Sequence, residues 1–377
     1  MTRPEAKGWC PGAYRPMMSG DGLVVRVRPE FARLDRDQAL GLCAAAKTFG
    51  SGVIDLTSRA NLQIRGVSEA QHTPLLQELE ALGLLNDDPE LESRRNILMP
   101  PLWEKGDDSY RIASDLMARL GDLPALPAKV GYAVDAGPSP VMQQNSADFR
   151  IERDTEGGLI LRGDGANAGR SVTVDTAVDA IVEMADWFVA TGGTANRRMA
   201  AHLSHRALPA EWQTHAPALA AARLVPAATP VGTVFGVAFG QIDATALDYL
   251  LRATKAEGLR VTPWRLFLLE NASGETTEGF ITDADDPLLR ADACPGAPLC
   301  TAASVETRSI ARQLAQHIKG PLHISGCAKG CARPRKCRTT LVGRNGKFDL
   351  VRDGLPWDEP LLTGLAPDTL PHSIGDH

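Results

Sequence analysis

The sequence predicts a mixed fold: α+β in two related halves, with α/β units between and after them. Three observations predict it. A strand–helix–strand–strand order fills the first 66 residues and returns from residue 228. The stretches between and beyond alternate short apolar strands with amphipathic helices. Four cysteines in two close pairs, Cys294/Cys300 and Cys327/Cys331, are confined to the C-terminal stretch.

In the first unit, the turn-forming run Arg15-Pro-Met-Met-Ser-Gly-Asp-Gly22 leads into a strand over 23–29. The two-residue period puts Arg26 and Arg28 on one face of it. Residues 36–49 have helical spacing, with Ala39, Leu42, Cys43 and Ala46 on one face and Asp35 as the cap. Gly50-Ser51-Gly52 ends the helix, and strands over 53–57 and through 62–66 follow. The later copy has a strand over 232–240, a helix over 244–256 and a strand pair over 258–269. Thr57-Ser-Arg59 corresponds to Thr262-Pro-Trp-Arg265 with one residue of slippage.

Between the copies, helices are expected over 69–85, 108–120 and 172–190, a strand near 130–134, and a hairpin from 149–152 and 159–165. After the second copy come a helix over 301–319 and a strand over 322–325. A hairpin turning at Asn345-Gly346 follows, and a loose tail from residue 360. His202 and His205 have the i,i+3 spacing by which two histidines can share a metal, although two exposed histidines are the plainer reading.

The totals exclude several classes. A chain of 377 residues has room for two or three domains, and 44% hydrophobic with 23% charged residues is ordinary for a globular protein. A net charge of −6 gives no sign of general nucleic-acid binding. No apolar run approaches the roughly 20 residues that span a bilayer. The N-terminus lacks the apolar core of a signal peptide, so a cytoplasmic protein with reduced thiols is expected.

The cysteines carry the chemistry. Cys294-Pro-Gly-Ala-Pro-Leu-Cys300 has C-x5-C spacing and Cys327-Ala-Lys-Gly-Cys331 has C-x3-C. Four thiolates in two pairs suit a tetrahedral zinc or an iron–sulfur cluster. The wide first spacing favours the cluster, since zinc knuckles use shorter loops. The intervening Pro, Gly and Ala let backbone pass close to inorganic sulfur. Four unrelated buried cysteines are the remaining alternative. Cys10, Cys43 and Cys337 read as ordinary thiols.

This pattern resembles the sulfite and nitrite reductase family. Its members hold a [4Fe-4S] cluster on C-x5-C followed by C-x3-C. In the haem-containing members the last cysteine also bridges to sirohaem. The resemblance implies a sulfite-reductase-like fold: two pseudo-symmetric ferredoxin-like halves, 1–66 and 228–288, plus two α/β domains, 67–227 and 289–377, for macrocycle and cluster. It implies that Cys294, Cys300, Cys327 and Cys331 are the cluster ligands, with Cys331 facing the macrocycle. A tetrapyrrole with up to eight carboxylates needs converging cations. Family positions that bind it match Arg26, Thr57, Arg59, Gln63, Arg95, Asn96 and Lys129. Arg265, Lys329 and Arg333 are candidates for the same work. No catalytic residue is assigned.

Two departures shape the functional expectation. Where a reductase has the second lysine of Leu-Pro-x-Lys-x-Lys, this chain has Gly131, which can deliver no proton to a bound anion. The usual Cys-Pro-Asn-Gly-Cys turn is Cys327-Ala-Lys-Gly-Cys331. Arg15 to Leu23, Arg260 to Arg265 and Ser325 to Pro334 look like the ring-oxidising branch of the family, which serves aerobic cobalamin biosynthesis. That branch implies an iron–sulfur monooxygenase acting on precorrin-3A with O2 and an external electron donor, hydroxylating C20 and closing a γ-lactone from the ring A acetate. A mononuclear non-haem iron is implied too, with ligands the sequence does not reveal, and the next pathway enzyme is a conceivable partner. The alternatives are a sirohaem-dependent sulfite or nitrite reductase and, from another class, a zinc-stabilised binding protein.

Overall fold

The computed structural model describes residues 11–272, 279–370 and 374; Cys10 lies outside them. Its two related units follow the expected order with one short strand added before each helix. The first comprises strands Gly22–Val27, Arg33–Asp35, Val53–Leu56 and Leu62–Val67 with helix Arg36–Phe49. The second comprises strands Gly232–Gly236, Gln241–Asp243, Gly258–Val261 and Leu266–Glu270 with helix Ala244–Thr254. Both helices start at an aspartate that accepts from the first-turn amides, Asp35 from Gln38 and Asp243 from Thr245 and Ala246. Just before each short strand a phenylalanine takes a left-handed conformation, Phe31 at φ 52° and Phe239 at φ 59°.

The units exchange strands. Arg33–Asp35 joins the second sheet, pairing Leu34 with Leu259, while Gln241–Asp243 joins the first, pairing Ile242 with Ile54. The two helices pack together, and Leu42, Cys43, Leu247 and Leu251 lie in a single core with residues of both sheets. Burial pushes the Cys43 thiol up to about 12, so it stays protonated.

The middle of the chain builds another five-stranded sheet, in the order Arg170–Val172, Leu159–Gly163, Phe149–Arg153, Tyr132–Asp135, Ile97–Leu98. Helices Asp108–Ala118 and Ala177–Ala190 bury Ile112, Leu116, Ile181 and Met184 in its core. The last sheet runs Ala291–Ala293, Leu322–Ser325, Cys337–Arg344, Lys347–Gly354, Leu362–Leu365. Its first three strands are parallel and the Asn345-Gly346 hairpin forms as expected. Among the described residues no helix is long and apolar enough to cross a membrane.

Several boundaries differ from the sequence reading. The helix expected over 172–190 begins at Ala177, because Arg170–Val172 is an edge strand and Thr173 and Thr176 bond to each other across a turn. The helix expected over 301–319 shrinks to Arg308–Ala315, since the chain before it closes the cysteine loop. The helices expected to reach Leu85 and Leu120 end at Ala81 and Ala118. The tail, expected to be loose, adds Leu362–Leu365 to the sheet edge.

Candidate active site

Topology brings the two cysteine pairs together. Ala291–Ala293 and Leu322–Ser325 are parallel neighbours, with Ala293 opposite Ile324. Cys294 and Cys327 therefore leave adjacent strands at the same edge, the carboxyl end, where open parallel sheets place ligands. The first loop is closed by Cys300 N–H to Gly296 O at 2.8 Å and by Ala297 N–H to Val305 O at 2.8 Å. The Gly326 amide donates to Cys294 Sγ at 3.2 Å. A side chain at Gly326 would meet Ala303 Cβ at 2.6 Å, so only glycine lets the two loops approach this closely.

Exposure is graded across the set: Cys294 is buried, Cys300 and Cys327 are half-buried, and Cys331 is exposed. Burial raises the Cys331 thiol, and Cys294, Cys327 and Cys300 add to the rise, so the four thiols share one locality. Burial likewise raises Cys294, against the Gly326 and Gly296 amides. Cys294 and Cys331 therefore resist ionisation unless a positive centre joins them, which is the condition an iron–sulfur cluster would meet. Among the described residues no three His, Cys, Asp or Glu side chains group around a single metal ion.

The first unit clamps this loop. Ser19 Oγ and the Gly20 amide both donate to Leu299 O, at 2.7 and 3.0 Å. A Cβ at Gly20 would sit 2.4 Å from Pro298 O. Arg65 steadies the clamp through Asp21 and Ser19. The sequence marked Met-Ser-Gly-Asp-Gly as a turn within the Arg15–Leu23 motif; nothing local shows that it holds a loop 280 residues away.

The cationic candidates divide into groups. Arg265 and Arg333 meet on Asp292, at 3.0 and 2.9 Å, beside the cysteine loops. Arg59 donates to Lys129 O at 2.7 Å, so the Thr-x-Arg loop and the Lys129 turn come together. Arg26 is buried opposite Gln63 on neighbouring strands. Thr57 braces its own turn, its hydroxyl accepting from the amides of Arg59 and Asn61. Arg95 and Asn96 lie in a buried network beside the Lys129 turn, where Arg95 bonds Glu92 at 2.8 Å and Asn96 bonds Arg28, Ser93 O and Val130 O. Lys329 is half-buried between the cysteines of the second pair.

Gly131 has a structural basis: its amide donates to Asp148 at 3.0 Å, and a Cβ would lie 3.1 Å from Asn96 O. The paired-histidine reading is corrected. His202 is buried, with one ring nitrogen bonded to Thr191 at 2.8 Å and the other to Asn196 at 2.9 Å, while His205 is exposed. Asp292, Ser19 and Gly20 are the site residues that the sequence did not single out.

Comparison with known proteins agrees with this architecture. Residues 15–82 match the nitrite/sulfite reductase ferredoxin-like half domain. The solved structure of the Mycobacterium tuberculosis NirA protein superposes with a TM-score of 0.66 at 18% identity, covering 93% of this chain and 79% of that one. A precorrin-3B synthase from a Sinorhizobium species is 31% identical over 389 residues, 92% of this chain and 83% of the relative. The fold and the half domain define a nitrite/sulfite-reductase-like protein. Within that class, the chain belongs to the precorrin-3B synthase family.

Proposed function

We propose that this chain is a precorrin-3B synthase, an O2-dependent monooxygenase that converts precorrin-3A by hydroxylating C20 and closing the ring A acetate into a γ-lactone. The similarity to the Sinorhizobium synthase over nearly the whole chain supports the substrate class. One structural observation carries the chemistry: four cysteines at the carboxyl ends of two parallel strands, flanked by Arg265 and Arg333.

Cys294, Cys300, Cys327 and Cys331 would hold a [4Fe-4S] cluster, four thiols being the ligands such a cluster takes. When bound, such a cluster supplies electrons one at a time from an external donor. The chain's own part is to bind and orient. Arg265 and Arg333 would take carboxylates of the macrocycle, and Arg59 with Lys129 would cover another edge. Arg26, buried opposite Gln63, would add positive charge to the set. Gly131 leaves the place of a proton-donating lysine without a side chain, which favours ring oxidation over anion reduction. No residues are assigned to the implied mononuclear non-haem iron, because no donor set among the described residues fits it.

The test is composition followed by turnover. Anaerobically purified protein should contain iron and acid-labile sulfide, no zinc and no extractable haem, and should consume precorrin-3A under O2 with a reductant. Cys331→Ser should lose cluster and turnover together. Extractable sirohaem with sulfite reduction would replace this reading with a reductase, and zinc without sulfide would remove both.

A further inference from the structure

Asp292 lies in the strand Ala291–Ala293, two residues before Cys294. It accepts from two arginines that come from distant parts of the chain. Arg265 ends the Thr262–Arg265 turn of the second half, and Arg333 follows Cys331 by two residues. Asp292 is only 13% exposed in its side chain, so both contacts are charge-assisted bonds with little screening. Arg265 is fixed further by Ala291 O at 2.5 Å and Leu289 O at 3.4 Å, and its backbone is left-handed at φ 62°.

The surroundings leave Asp292 to these two cations. Its cross-strand neighbour is His323, fully buried, with neither ring nitrogen hydrogen-bonded within the described residues. Burial holds His323 neutral, with its pKa lowered to about 4. Two guanidiniums on one carboxylate leave a net positive charge. Surplus guanidinium at the mouth of the cysteine loops is matched by carboxylate on a ligand.

We infer that Asp292 is a positioning residue, which grips Arg265 of the second half and Arg333 of the cysteine loop as one pair and presents them to carboxylates of the macrocycle. This rests on the function proposed above. A plain inter-domain tie would also use such contacts, so the test must read binding apart from folding.

The experiment uses the full cluster-loaded chain and uroporphyrin, a stable octacarboxylate macrocycle, with binding followed by quenching of tryptophan fluorescence. Asp292→Asn should keep its iron, sulfide and melting temperature yet bind uroporphyrin about tenfold more weakly, the loss expected for one misplaced charge-assisted contact. Arg265→Gln should weaken binding similarly, and adding Asp292→Asn to a variant that already carries Arg265→Gln and Arg333→Gln should weaken it by no more than about twofold, because Asp292 acts only through those two arginines. Unchanged binding by Asp292→Asn, or a further loss of about tenfold in that background, would overturn the inference. Should Asp292→Asn fail to fold, Asp292→Glu decides. It keeps the charge on a longer arm, so folded protein with weakened binding supports positioning and unchanged binding refutes it. A parent protein that does not bind uroporphyrin at all would count against the functional reading instead.

Discussion

Replacing Glu270 with glutamine should loosen the joint between the two halves. Glu270, at the end of Leu266–Glu270, receives Arg33 from the exchanged strand at 2.6, 2.9 and 3.0 Å, and Arg260 at 2.6 Å. Arg260 also donates to Pro101 O at 2.9 Å and Trp103 O at 2.6 Å and lies 4.4 Å over the Trp103 ring, so it cannot withdraw to water. Gly258 makes room: a Cβ there would stand 2.4 Å from Glu270 Oε2. The side chains of Glu270 and Arg260 are each 9% exposed, whereas Arg33 is 32% exposed. Breaking a buried pair costs about 3–5 kcal/mol, and the partly solvated Arg33 contact puts this case near the lower figure. A loss of about 3 kcal/mol corresponds to a fall in Tm of roughly 6 °C or somewhat more in a sizeable domain. Burial pushes the Glu270 carboxyl up, but Arg33 and Arg260 reverse this and hold it below its ordinary 4.5. A depressed carboxyl stabilises the fold above its unfolded pKa, and that contribution is lost as pH falls through the folded pKa. The gap between parent and Glu270→Gln should therefore close in acid. Calorimetry on anaerobically purified protein, stepped down from neutral pH, reads both effects, with the gap holding down to 4.5 and narrowing below it. A variant within about 0.5 kcal/mol of the parent at neutral pH would refute the reasoning.

Two further outcomes follow from the geometry. Burial raises the Asp135 carboxyl to about 6, although the amides of Met142 and Val141 oppose the rise. Between 3.8 and about 6 only the folded chain holds this proton, so stability is lost as pH rises through that window and stays lost above it. The burden is at most about 3 kcal/mol, and Asp135→Asn should recover part of it at pH about 8 and none at pH about 4. Chemical denaturation at both pH values checks this; an equal effect at both would sink it. Gly326→Ala would press a methyl to 2.6 Å from Ala303 Cβ and 3.5 Å from Cys294 Sγ. It should lose most of its bound iron and sulfide while the far-UV circular dichroism of the sheets persists, and retention of a full complement would contradict the packing argument.

The sequence by itself determined the repeated unit, because helix Arg36–Phe49 and the strands around it carry strong periodicity over many residues. It also marked the four cysteines as candidates, since thiols at C-x5-C and C-x3-C spacing are a local signal that does not depend on the fold around them. Only the tertiary structure decided the strand exchange. Arg33–Asp35 and Gln241–Asp243 are three residues each, too short to carry a period, and their pairing is chosen by edges hundreds of residues away. The same holds at the site. Arg95 looked like Arg265 in the sequence, yet one shares Glu92 with Arg28 of the first half in a buried network and the other shares Asp292 with Arg333 at the cysteine loops. A charged side chain's role is set by which opposite charge folding brings to it, and that distance is not written in the neighbouring residues.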